Sequence, residues 1–270
     1  MKRYLMRLCL GTVLLLPFGL AAGESYTLIE DRVYASPEGE DQLVDLYIPD
    51  GEGPHPAVLL IHGGGWKSGE PADMEGFADR LVEAGYAVAN ISYRLAPEHR
   101  WPAQIEDCRT ALRWLREQAE GLHIDPKRIG AFGYSAGAHL AMALGTDSPK
   151  NPQERVQAVV AGSGPYDLRV YPESPYIYKL IGGGPQEYPD EYADASPLTK
   201  ASPDDAPAFL YHGKRDRLVE VEQSYNMAAA LADAGVPVVM REEPFGHALT
   251  FVFDRGSFAE ALEFLDKYLR

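Results

Sequence analysis

Ser135 stands in Gly133-Tyr134-Ser135-Ala136-Gly137, a G-x-S-x-G run that could present a serine as a nucleophile. The residues before it, Arg128-Ile129-Gly130-Ala131-Phe132, are short and apolar, as a buried parallel strand is. Those after it, Ala138 to Leu144, are good helix formers without a breaker. Glycines two positions either side of Ser135 let the chain bend where a Cβ would clash. Strand, G-x-S-x-G and helix together are the setting in which a sharp turn exposes a nucleophilic serine. A serine hydroxyl attacks a carbonyl only with a base in hydrogen-bond reach and a third group to orient that base.

Seven histidines could supply the base. His55 precedes a proline before a core strand, His99 lies in a polar loop, and His123 comes just before the strand holding Arg128. His139 is on the helix after the serine and His212 ends a strand. His247 follows the final strand in Phe245-Gly246-His247, where a loop freed by Gly246 can aim the imidazole back at Ser135. Asp216, in the glycine-containing loop His212-Gly213-Lys214-Arg215-Asp216, is the expected orienting carboxylate. Glu220 is the backup acid, while Asp204 and Asp205 fall at the other end of that strand and read as solvated. An oxyanion needs preorganised N–H donors. His62-Gly63-Gly64-Gly65-Trp66 follows a strand ending at Ile61, so the amides of Gly64 and Gly65, with that of Ala136, are the expected donors. Gly63 is the turn residue and a further candidate, and His62 is expected to brace the loop. The plainer alternative for the three glycines is a merely flexible loop.

The elements that must position these groups alternate between strand-like and helix-like. Segments 25–35, 42–48, 57–61, 86–91, 128–132, 156–162, 208–212 and 236–241 read as strands. Segments 73–84, 102–119, 135–145, 220–234 and 257–269 read as helices. The prediction is an α/β fold: a mostly parallel sheet of about eight strands flanked by helices, with crossovers after an opening hairpin. Residues 163–206 are rich in Pro, Tyr, Asp and Gly and are predicted either to fold over the site or to make a surface excursion with a short helix at 175–181.

A formal net charge of −15, from 25 Lys and Arg against 40 Asp and Glu, argues against nucleic acid or an anionic membrane as partner. Hydrophobic content of 46% and charged content of 24% are ordinary for a globular domain. Lys2, Arg3 and Arg7 precede the apolar run Leu8 to Leu20 and the small residues Ala21-Ala22-Gly23. This reads as a cleaved signal peptide over residues 1–22, ahead of one catalytic domain over 24–270, and places the mature protein outside the membrane, secreted or periplasmic. The competing reading, a membrane anchor, meets an apolar run shorter than the roughly 20 residues of a spanning helix. Cys108 is then the single mature cysteine, expected in the core. No ligand-spaced Cys/His cluster calls for a metal, and no organic cofactor is implied.

His62-Gly63-Gly64-Gly65-Trp66, Tyr93-Arg94-Leu95-Ala96-Pro97-Glu98 with Trp101-Pro102-Ala103, Gly133-Tyr134-Ser135-Ala136-Gly137, Asp216 and Gly246-His247 together carry a family resemblance. From about residue 25 onward the chain resembles the hormone-sensitive-lipase-type branch of the α/β-hydrolase superfamily. Within it, the chain is most similar to compact bacterial esterases related to bifunctional feruloyl/acetyl-xylan esterases. The resemblance implies a serine carboxylesterase with Ser135, Asp216 and His247 as its triad and a small or carbohydrate-borne ester as substrate. It also implies that the Tyr93 to Pro102 loop braces the site, with Asp107 beyond it. That branch often carries an N-terminal helical cap, and here the residues ahead of the oxyanion loop read as strands, which argues against a large cap domain. Trp66, Tyr134 and Tyr166 are the candidates to line a substrate pocket; Trp66 and the tyrosines of 166–192 are candidates to stack on sugar rings, the equal alternative for those tyrosines being to pack the loop onto the body. Competing readings are a formamidase, a serine peptidase and a non-catalytic binding module on a hydrolase fold, which typically lacks a triad member.

Overall fold

Ala57-Val58-Leu59-Leu60-Ile61 offers water no polar side chain, and all five residues are fully buried. A strand covered on both faces requires this. The computed structural model describes residues 26–146 and 151–270, so the N-terminal run read as a signal peptide lies outside the described residues. The elements in chain order are β1 (Tyr26–Ala35), β2 (Gln42–Pro49), β3 (His55–Ile61), α1 (Glu75–Glu83), β4 (Ala87–Ile91), α2 (Ala103–Glu117), β5 (Ile124–Tyr134), α3 (Ala136–Thr146) and β6 (Val159–Gly162). There follow α4 (Pro175–Ile181), α5 (Pro189–Asp194), β7 (Ala208–Gly213), α6 (Glu222–Asp233), β8 (Val238–Glu243), α7 (His247–Phe253) and α8 (Arg255–Leu269).

The strands form one eight-stranded sheet in the order β1-β2-β4-β3-β5-β6-β7-β8. Pairs from β4 through β8 are parallel, and β1–β2 and β2–β4 are antiparallel. The α/β expectation of about eight mostly parallel strands is met. The expectation of parallel crossovers straight after the opening hairpin is not. The chain leaves β2 and skips a position to lay β3, and β4 then fills the gap against β2 in the opposite direction. Hydrophobic pattern marks where strands are; which strand is whose neighbour depends on long-range pairing that pattern does not carry.

Side chains alternate across the sheet with period two. Ala57, Leu59 and Ile61 of β3 pack with Cys108 and Leu112 of α2, Leu140 of α3 and Leu231 of α6. Val58 and Leu60 pack on the opposite face with Phe77 and Leu81 of α1 and Phe258 and Leu265 of α8. Each such large side chain contributes roughly 1.5–3 kcal/mol by leaving water. Cys108 is buried in this core as expected, and burial pushes its thiol up, away from nucleophile chemistry. Among the described residues no helix is long and apolar enough to cross a membrane.

Candidate active site

The chain turns from β5 into α3 at Ser135, whose φ is +56°. A left-handed residue with a side chain costs on the order of 1–3 kcal/mol and persists only where its surroundings dictate it. Here the Ser135 N–H donates to the Gly162 carbonyl at 2.8 Å, and the Ser135 carbonyl accepts from the His139 N–H at 3.1 Å. A Cβ on Gly133 would run into the Gly137 carbonyl, and one on Gly137 into the Ile61 carbonyl. The two glycines therefore set how tightly the turn closes.

Ser135, His247 and Asp216, distant in sequence, meet in one hydrogen-bonded line. The Ser135 hydroxyl lies 2.9 Å from His247 Nε2, and His247 Nδ1 lies 2.6 Å from Asp216 Oδ2. A carboxylate only accepts, so Nδ1 carries the proton and Nε2 is left to accept from the serine. Asp216 is positioned by the turn after β7, where its Oδ1 accepts the N–H groups of Leu218 and Val219 at 2.9 and 3.0 Å. Its side chain is fully buried. Burial raises this carboxyl, but hydrogen bonds from His212 and His247 and from the Val219 N–H outweigh it and hold it well below the usual carboxylate range.

The sequence predicts His247 in a free loop; the structure makes it the first residue of α7, with Gly246 as N-cap. The imidazole is aimed by two anchors, the helix behind it and the Tyr134 hydroxyl, which donates to the His247 carbonyl at 2.6 Å. The helix His247–Phe253 is absent from the sequence expectation because Phe, Val and Thr weaken its helical signal and it spans only 7 residues. Glu220 is exposed and accepts from the Tyr171 hydroxyl at 2.6 Å. Asp205, expected to be solvated, is buried and accepts from the Ser202 N–H and hydroxyl at 2.9 and 2.7 Å.

Directly after β3, Gly64, Gly65 and Trp66 take φ of +99°, +62° and +58°, three left-handed residues in succession. Gly63 passes so near the elbow that an added Cβ would sit 3.0 Å from the Tyr134 carbonyl and 3.4 Å from Ser135 Cβ. The N–H groups of Gly64, Gly65 and Ala136 have no acceptor among the described residues. His62 is a brace. Its ring stacks on Tyr93 at 4.2 Å, its Nδ1–H donates to the Gly63 carbonyl at 2.8 Å, and burial lowers it to about 4. The Tyr93 hydroxyl reaches the His62 carbonyl at 3.0 Å. Next to it Arg94 forks onto buried Asp107, Nε to Oδ2 and Nη2 to Oδ1 each at 2.9 Å, pinning the loop to α2.

A cavity of about 610 Å³ opens over Ser135 and His247. Its floor is Gly63, Gly64, Gly65 and Ala136, and its walls include Tyr171, Tyr176 and Ile177 of the 163–206 segment. The Tyr176 ring packs where a Cβ of Gly65 would lie, so this segment comes over the glycine loop and forms part of the site's wall. Besides the expected helix α4 it holds a second one, α5. Leu218, Val219, Phe251 and Val252 line the cavity as well. Sequence reasoning missed these four; the apolar stretch Phe251-Val252-Phe253 so soon after His247 was the available signal.

Of the three expected pocket residues, Trp66 and Tyr134 line the cavity and Tyr166 does not. Tyr166 is fully buried, packed as core beneath the 163–206 segment, with its N–H donating to Gln223 Oε1 at 2.7 Å. Its ring joins the main core, in one cluster with Leu59 of β3, Leu112 of α2 and Leu140 of α3, and so is turned away from the cavity. Trp66 is only 3% exposed, which leaves it no open face for a sugar ring. Among the described residues no group of His, Cys, Asp and Glu is placed to hold a metal ion.

A serine on a left-handed turn between strand and helix, an acid after β7 and a histidine after β8, on a sheet of this order, define the α/β-hydrolase class. The BD-FAE family model matches residues 44–231, and the chain belongs to that family. Esterase LipC of Mycobacterium tuberculosis is 31% identical over 196 residues, 66% of this chain and 48% of that protein. The chain spans about half the length of the curated relatives it matches. Among solved structures, a truncated carbohydrate esterase from gut microbiota superposes with a TM-score of 0.80 at 28% identity, covering 92% of this chain and 98% of that one. An acetyl ester-xyloside bifunctional hydrolase from Caldicellulosiruptor lactoaceticus gives 0.72 at 28% identity, covering 84% and 87%.

Proposed function

We propose that the protein hydrolyses carboxylic esters through an acyl-enzyme on Ser135. The observation that carries this is the line Asp216–His247–Ser135, at 2.6 and 2.9 Å, beside three main-chain amides without acceptors among the described residues. His247 Nε2 takes the hydroxyl proton as Ser135 Oγ bonds to the ester carbonyl carbon. The carbonyl oxygen gains negative charge and is held by the amides of Gly64, Gly65 and Ala136. Asp216 stabilises the imidazolium, which then protonates the departing alcohol as its C–O bond breaks. Water, deprotonated by His247, attacks the acyl carbon and returns Ser135 to its free form as the acid leaves. No metal or organic cofactor enters this sequence.

An acetyl or feruloyl group on a carbohydrate is the substrate class we favour. Support comes from the carbohydrate and xyloside esters in the names of similar structures and from the aromatic wall of Tyr171 and Tyr176. Export is part of the same reading and rests on the charged, apolar and small-residue run of residues 1–22. A fluorophosphonate should add one phosphonyl group, located by mass spectrometry on Ser135, and His247→Ala should lose that labelling. Labelling unchanged in His247→Ala would overturn the role of the base. Ranking acetylated xylan, methyl ferulate and p-nitrophenyl esters of increasing length tests the substrate; activity on long-chain esters alone would overturn the carbohydrate class.

A further inference from the structure

His139 lies on α3 one turn beyond Ser135, is fully buried, and has no part in the acyl transfer above. Both its ring nitrogens are engaged, in different directions. The Trp66 indole Nε1 is 3.2 Å from Nδ1, and since an indole N–H only donates, Nδ1 is the acceptor. The ring proton is therefore on Nε2, which donates to the Ala195 carbonyl at 2.6 Å. Burial lowers the imidazole to about 4, which keeps it neutral near pH 7. Trp66 and Trp101 meet the ring edge-on at centroid distances of 5.1 and 5.6 Å, and the Trp101 indole donates to Asp194 at 2.7 Å.

Three segments thus converge on one ring: the glycine loop through Trp66, the elbow helix that carries His139, and the end of α5 through Ala195. Trp66 is the residue with a side chain in the left-handed run that turns the Gly64 and Gly65 amides. Its conformation needs outside support. Its carbonyl accepts from the Ala96 N–H at 2.8 Å, and its indole is held by His139. A histidine that merely filled space would not need two directional bonds that together demand one tautomer.

We propose that His139 is a positioning residue for the oxyanion loop, fixing the Gly64 and Gly65 amides through the Trp66 indole and tying that loop to the end of α5 through Ala195. The inference rests on the ester-hydrolase reading of the site. Two substitutions separate the bonds. His139→Asn keeps an acceptor oxygen near the Nδ1 position and gives up the contact to Ala195. His139→Gln keeps a donor near the Nε2 position and gives up the acceptor for Trp66.

The test is steady-state kinetics on p-nitrophenyl acetate, with thermal unfolding of each variant. His139→Gln and Trp66→Phe should each lower kcat by about tenfold or more while KM moves less than about twofold, because a misaimed donor weakens the transition state more than the ground state. The double variant should be no worse than either single one. His139→Asn should recover most of the kcat lost in His139→Gln. Wild-type kcat in His139→Gln, or equal losses in the Asn and Gln variants that track Tm, would overturn the inference. If His139→Gln does not fold, Trp66→Phe decides alone, and an unchanged kcat there overturns it. Absence of turnover in the wild-type protein would instead overturn the ester-hydrolase reading, so the two failures are told apart.

Discussion

The floor and the mouth of the cavity are built on opposite principles. On the floor every working side chain is tied by directional bonds. Asp216 is fixed by two main-chain amides and two imidazoles, His247 by Asp216 and Tyr134, and Ser135 by strand and helix neighbours. At the mouth, Leu218 is 53% and Val252 61% exposed, and they meet the cavity only with carbon. A directional bond is made or lost, and its loss changes rate by powers of ten. An apolar contact scales with area and changes preference by small factors. We therefore expect the floor to decide whether the reaction runs and the mouth to decide on what.

The largest effects should come from the floor. Ser135→Ala should lower kcat on p-nitrophenyl acetate by about 10⁶-fold, with circular dichroism unchanged, since the residual rate of a site without its nucleophile comes from binding and oxyanion donors alone. Measurable turnover in pure Ser135→Ala would remove the floor's claim to the chemistry. Asp216→Asn should cost about 10⁴-fold, because an amide cannot hold the Nδ1–H tautomer of His247. Its Oδ1 can still accept the Leu218 and Val219 amides, so the fold should survive. Glu220→Gln should stay within about twofold of wild type, as its carboxylate faces Tyr171 in solvent; a loss of the Asp216→Asn size would move the orienting acid.

The same division explains what could be read from the sequence. Ser135, Asp216 and His247 were legible because glycine placement and position after a strand are local properties, and a parallel sheet delivers strand ends to one edge. The glycine loop was legible for the same reason. The mouth was not. Tyr166 and Tyr176 are the same residue type ten positions apart in one segment, yet the first is core and the second lines the cavity. Only the path of the folded segment tells them apart. The helix α7 escaped because Thr250, Phe251, Val252 and Phe253 favour strands and tertiary packing overrides that preference. The β2–β4 pairing escaped because register between distant strands leaves no local mark.

A smaller effect separates the regions by pH. His62 and His139 are buried near the floor, and burial lowers both from 6.5 to about 4. In the unfolded chain they bind protons below pH 6.5, whereas the native state binds them only below about 4. Falling pH therefore favours unfolding across that window, by on the order of 3 kcal/mol per histidine. Asp216 acts lower, because its depressed carboxyl keeps its stabilisation until pH drops below the ordinary value of 3.8. Urea midpoints should fall steeply from pH 6.5 to 4, and His139→Asn should flatten the slope by about one group's share. Leu218→Ala should shift the whole curve and leave its slope alone. A pH-independent midpoint in the wild-type protein would contradict the neutral buried histidines.

The smallest effects belong to the mouth itself. Leu218, Phe251 and Val252 line the cavity together with Tyr176 and Ile177. An acetyl group bound at Ser135 is too short to gain much from such walls, whereas each further methylene that reaches them gains at most about 0.8 kcal/mol. Phe251→Ala and Val252→Ser should thus lower kcat/KM for p-nitrophenyl butyrate by about three- to tenfold relative to acetate, chiefly through KM. Acetate and butyrate falling together, through kcat, would mean that α7 serves to hold His247 and contributes nothing to choice of acyl group. The ratio of the two rates, measured in the same variant, decides whether α7 belongs to the mouth or to the floor.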